Sequence, residues 1–173
     1  HIERLDDHAR IQVTGEAAAV AVELDNGYWT QDAQGKWLNV GESKVPDAQD
    51  SGHYSKFALM LSRPVDLPAL HEKLALVILP LADPIGAHPG EKLPIRVMLD
   101  GKPAANVDII GDYVNDPERT VATTDEAGHA QVTVRNDGLN VIAATVSLPN
   151  DDPEARKRGI IATLSFVTRS HAH

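Results

Sequence analysis

Eight histidines and no cysteine set the chemistry open to this chain of 173 residues. A neutral imidazole nitrogen binds nickel, cobalt, copper or zinc; with no thiolate and two methionines, a soft Cu(I) site is disfavoured. The same lack of cysteine excludes disulfides, thiolate zinc sites and iron–sulfur clusters. Placement then sorts the histidines. His53 follows Gly52 at the start of an extended run, where a ring at a loop end can turn toward a cleft. His1, if it is a true chain start, offers a free amine and a ring nitrogen to one ion. His171 and His173 are two apart, so in an extended tail they point the same way and could pinch a metal, although terminal residues more often fray. His129 is a lesser metal candidate, and His8, His71 and His129 taken singly read as surface residues.

Catalytic patterns come close and fail. Gly41-Glu42-Ser43-Lys44-Val45 has the first glycine and the serine of a nucleophile elbow, but Val45 replaces the second glycine. His71-Glu72-Lys73-Leu74-Ala75 begins like a zincin helix, yet Ala75 stands where the second zinc-binding histidine belongs. Asp151-Asp152 lacks the spacing of a calcium loop, and no glycine run cradles phosphate. The chain is therefore expected not to be an enzyme.

The elements that must position these residues read as strands. Leu93, Ile95, Val97 and Leu99 alternate with Pro94, Arg96 and Met98, the period of a strand with one buried face. Asp100-Gly101 reverses the chain, Pro103 has no amide hydrogen for a ladder, and the next strand is expected to start near Asn106. A second turn at Asp125 to Gly128 leads to His129, Gln131 and Thr133 outward and Ala130, Val132 and Val134 inward. Earlier, residues 17–24 read as a strand with Val20, Val22 and Leu24 inward, closed by Asn26-Gly27. Phe57, Leu59 and Leu61 share a face of the extended run 53–61. Residues 28–30 and 36–38 form a hairpin holding both tryptophans, Trp29 and Trp37. Two large rings are expected to fill the core of a small domain; an exposed platform for a sugar or peptide is the alternative. Residues 153–157 allow one helical turn, and 160–168 read as the last strand.

Many short strands with turns every 8–12 residues indicate an all-β fold. The reading is an immunoglobulin-like or transthyretin-like β-sandwich at residues 72–170. A smaller β-rich N-terminal domain at 1–62 precedes it, with a proline-bearing linker at 63–71. A hydrophobic fraction of 42% is enough for a real core. The formal charge of −9 repels phosphate backbones, so nucleic acid is not expected as a partner. No apolar run is long enough for a membrane helix, so no direct membrane insertion is expected. The opening His1-Ile2-Glu3-Arg4 has neither the basic start nor the apolar core of a signal peptide, which leaves a cytosolic protein or a processed or truncated form.

Several segments, in order, carry a resemblance. They are Ser51-Gly52-His53-Tyr54-Ser55-Lys56-Phe57-Ala58, Leu76-Val77-Ile78-Leu79-Pro80-Leu81-Ala82-Asp83-Pro84, and Pro89-Gly90-Glu91-Lys92-Leu93-Pro94-Ile95-Arg96-Val97. Asp100-Gly101-Lys102-Pro103, the Thr124-Asp125 to Gly128-His129-Ala130 turn and Ala162-Thr163-Leu164-Ser165-Phe166 follow. Together they resemble a family of uncharacterised bacterial periplasmic domains, some of which accompany nickel and cobalt importers of the energy-coupling type. The resemblance implies a periplasmic or secreted β protein that binds a transition-metal ion and hands it to the membrane component of an importer. In that family the mature chain often starts with histidine in a His-x-His context followed by an aromatic; Ile2-Glu3-Arg4 departs from it. A glycan- or protein-binding immunoglobulin-like module is the competing expectation, with the Trp29/Trp37 hairpin as its contact surface.

Overall fold

The computed structural model describes residues 1–6, 8–65 and 73–169. His71, His171 and His173, and most of the segment 63–71, lie outside the described residues. The chain is an all-β sandwich. A hairpin of β1 (Ile2–Arg4) and β2 (Ala9–Ile11) stands separate from its two main sheets. The larger sheet is built from β3 (Ala19–Gln31), β4 (Trp37–Leu38), β5 (Asp50–Leu61), β9 (Asp108–Ile110), β10 (Thr120–Thr123), β12 (Leu139–Pro149) and β13 (Lys157–Val167). Its seven strands lie in the order β10-β9-β12-β13-β5-β3-β4. The smaller sheet runs β11 (His129–Thr133), β7 (Lys92–Leu99), β6 (Leu76–Pro80), with β8 (Lys102–Pro103) also beside β7.

The alternation of apolar residues places the core. Phe57, Leu59 and Leu61 of β5 join Ile160, Ala162, Leu164 and Phe166 of β13, and Ile142 and Ala144 of β12, on the inner face. Leu93, Ile95 and Val97 of β7, Leu76 and Ile78 of β6 and Val132 of β11 belong to the same buried cluster. The boundary expected at 63–71 thus separates strands that share one sheet and one core: β5 lies parallel to β13 from Gly52 beside Lys157 to Leu61 beside Phe166. Neighbours this distant in sequence carry no local signal, because no tight turn joins parallel strands.

Turn chemistry is followed where it was expected. Asp100 and Gly101 both have positive φ (48° and 78°), the two-residue hairpin form that continues the right-handed twist of its strands. Asn26-Gly27, by contrast, does not end a strand. It makes a β-bulge inside β3, with Gly27 at φ 75° and the register shifting between Asp25 and Gly27. Val20, Val22 and Leu24 point away from the small sheet, where Met60, Ala58 and Lys56 are their cross-strand partners, and Leu24 is exposed. Alternation alone states that a strand has two faces; which is covered depends on the reach of the second sheet. Pro103, expected outside the ladder, pairs with Met98 in a two-residue edge strand, where a missing amide hydrogen costs nothing. Residues 153–154 form a turn rather than part of a helix.

Candidate functional site

The inner face of the large sheet extends past the core, and His53 stands on that extension. Register places Tyr28 of β3 and Arg158 of β13 on either side of it in one row. The Arg158 guanidinium holds Asp100, at the β7–β8 turn, with two bonds of 2.8 and 3.1 Å, so this row marks the lip where the small sheet ends. The bulge in β3 then aims a carboxylate. Gly27 donates its N–H to Asp25 Oδ1 at 2.9 Å, and the same oxygen lies 2.8 Å from His53 Nε2. The Tyr28 ring stacks on the imidazole with centroids 4.6 Å apart and planes at 27°. Its hydroxyl donates to Asp152 Oδ2 at 2.6 Å, from the loop joining β12 to β13.

That loop is itself fastened. Arg156 grips Glu42 of the 3₁₀ turn Glu42–Lys44 with bonds of 2.9 and 2.6 Å, and its backbone N–H reaches the buried Ser51 hydroxyl at 2.9 Å. Ser51 in turn donates to Glu42, and Ser43 donates to Glu154 at 2.9 Å. Asp152 is therefore held in place from its own loop, where Glu154 N–H caps its second oxygen at 2.9 Å.

Electrostatics follow from these contacts. The Gly27 amide first, then His53, holds the Asp25 carboxyl below its ordinary value. The Tyr28 hydroxyl, then the Glu154 amide, lowers Asp152. Tyr28 is pushed up, chiefly by its bond to Asp152, with Glu154 and Asp25 adding to the negative field. At neutral pH an imidazole thus lies among ionised carboxylates beside a protonated phenol.

A family model described as a domain of unknown function (DUF4198) matches residues 3–147. The chain belongs to the DUF4198 family. The matched span contains Asp25, Tyr28 and His53, while Asp152 falls just beyond it. No curated protein and no solved structure matches the chain significantly.

Two other candidate histidines of this DUF4198 domain, His1 and His129, stand apart from that cluster. His1 is exposed beside β1, its nitrogen donating to the Gln12 carbonyl at 3.1 Å. His129 is exposed at the start of β11, opposite Arg96, a cation that opposes capture of another. Among the described residues no three or more His, Asp or Glu side chains are gathered as a ready metal cage. Of the internal candidates, His53 is the one that the sequence ranks above His129. Asp25, Tyr28 and Asp152 escape it: Asp25 is aimed by a bulge, and Asp152 is 124 positions from the hydroxyl it accepts.

The outer face of the same sheet carries the tryptophans. Trp29 is half-buried, Trp37 is 39% exposed, and neither belongs to the core, so the expectation that they fill it is corrected. With Tyr54 and Asn26 they line a shallow cleft of about 250 Å³. Trp29 Nε1 donates to the Asn26 carbonyl at 3.0 Å, and the Lys157 ammonium lies 5.8 Å from the Trp37 ring centre. Tyr54 lies flat across two glycines: a Cβ at Gly52 or Gly159 would stand 2.6 or 2.5 Å from its ring. The core needs no large rings here because branched aliphatics and Phe57 and Phe166 already fill it.

Proposed function

We propose that the chain is a non-catalytic accessory domain that binds a transition-metal ion of the nickel or cobalt type and passes it on for uptake in the periplasm or outside the cell. The observation that carries this reading is the His53 cluster, where one imidazole nitrogen and one ionised carboxylate oxygen already meet at 2.8 Å. A divalent ion replaces the shared proton. Nitrogen and oxygen donors without sulfur suit nickel, cobalt and zinc better than Cu(I). Two protein ligands in place, with Asp152 able to join by releasing Tyr28 and water completing the shell, make for reversible rather than permanent binding. Reversibility is what a protein that hands over its cargo requires, and the recipient would be the membrane component of an importer. Calorimetric titration with nickel, cobalt, copper and zinc tests it. The wild type should bind at least one ion, and His53→Ala should weaken that binding by roughly tenfold or more. Equal heats from the wild type and His53→Ala would remove His53 as the ligand.

A glycan- or peptide-binding role on the opposite face is the second reading, favoured by the exposed Trp29–Trp37–Tyr54 surface. Quenching or enhancement of tryptophan fluorescence by a glycan panel, without added metal, would support it.

A further inference from the structure

A basic cleft stands out against the acidic balance of this chain. Where the free edges of the two sheets meet, β10 of the large sheet and β11 of the small one, a cleft of about 440 Å³ is lined by Lys92, Arg119 and Arg135. Thr120, Thr133 and Gln131 add hydroxyl and amide groups, and Gly111 leaves room beside Val121, whose methyl a Cβ there would meet at 3.0 Å. Three cations in one cleft of a protein with a formal charge of −9 call for a reason.

Their bonding state gives one. Arg156 and Arg158 are saturated by paired bonds to Glu42 and Asp100. The cleft arginines are not. Arg119 and Arg135 share the single carboxylate of Asp116, at 3.9 and 3.7 Å, beyond hydrogen-bond length. Among the described residues neither guanidinium has a side-chain hydrogen bond to an acceptor. Lys92 donates at 2.7 Å to the Thr133 hydroxyl, a neutral partner, which leaves the hydroxyl hydrogen of Thr133 to offer elsewhere. Asp112 also feels the Arg135 charge, but it is buried and its oxygens are taken by Asn115 and Asn136. The cleft thus holds more positive charge than its carboxylates neutralise, and its guanidinium groups are held only by the long ion pairs to Asp116.

We infer that this cleft is a binding site for a small multivalent anion, a compound carrying two or more carboxylate or phosphate groups. Planar guanidinium forks match such oxyanions two bonds at a time. The volume of about 440 Å³ admits a metabolite-sized ligand. Its position, on strands that take no part in the His53 cluster, makes it independent of the metal reading.

Titration with pyrophosphate and with citrate, followed by amide NMR shifts in low-salt buffer, tests it and separates phosphate from carboxylate preference. Expected are saturable shifts confined to residues 92, 111, 119–121 and 131–135. The double variant Arg119→Gln/Arg135→Gln should bind about tenfold more weakly or worse, while Lys56→Gln on the outer face of the large sheet binds as the wild type. Both arginines are solvent-accessible, at 65% and 39%, so the variant should keep the wild-type spectrum elsewhere and serve as its own folding control. Shifts spread over all surface lysines and arginines, or equal affinity in the double variant, would overturn the proposal. No saturable shift with either anion would do so as well.

Discussion

Single residues decide more here than their types announce. Asp25 would be one of many surface carboxylates had Gly27 not bent β3 and fixed its oxygen beside His53. Replacing Asp25 with Asn should therefore weaken metal binding without unfolding the chain, since the side chain is 65% exposed; calorimetry beside a thermal melt checks both halves. On the outer face, Gly159→Ala should destabilise by about 1–3 kcal/mol through its clash with Tyr54, and by much less in a Tyr54→Ala background. Denaturant melts of the four proteins test that coupling; equal costs in both backgrounds would mean that the glycine serves the strand and not the ring. At Gly128 the φ of 78° and the Val97 carbonyl, which would lie 2.5 Å from any added Cβ, forbid a larger residue more strictly. Of this, His53 was legible in the sequence as a candidate, although it stands inside β5, which begins at Asp50, and not at the expected loop end. Its partners were not, because a bulge and a loop contact leave no periodic trace.

At the scale of elements, the strands announce themselves and their neighbours do not. β5, β7, β11 and β13 follow the alternation of their apolar residues, and the Asp100-Gly101 turn follows from its residue types. Which face of β3 is covered does not follow, since Val20, Val22 and Leu24 alternate as cleanly as a buried set and yet face outward. Loops lean on each other through ion pairs that only the fold brings together. Glu42 is held below the ordinary glutamate value, first by Arg156 and then by Ser51. A carboxyl lowered in the folded state adds stability above its unfolded value, and that stability is lost as pH falls through the folded one. Glu42→Gln should accordingly be less stable than the wild type near neutral pH, and the difference should shrink below the ordinary glutamate range. Urea melts at roughly pH 7 and roughly pH 3 measure it; a difference independent of pH would assign the effect to packing.

At the scale of the molecule, one core joins residues that the sequence would divide between two units. Leu59, from the first sixty residues, and Leu164, from the last strand, are 1% and 0% exposed in the same cluster. Leu59→Ala should cost about 2–5 kcal/mol and lower one transition seen alike by tryptophan fluorescence and far-ultraviolet circular dichroism. Two transitions, only one of them moved, would mean independent halves. The same architecture sets the His53 cluster at the lip of one sheet end and the basic cleft between free edges, so the proposed cation and anion sites use different elements. The most direct test of the metal-binding claim is a cobalt titration of the labelled protein at neutral pH, read by paramagnetic broadening. The account predicts loss of signal centred on Asp25, Tyr28 and His53, with Asp152 close behind. Broadening centred on His1 or His129, or none at stoichiometric cobalt, would contradict it.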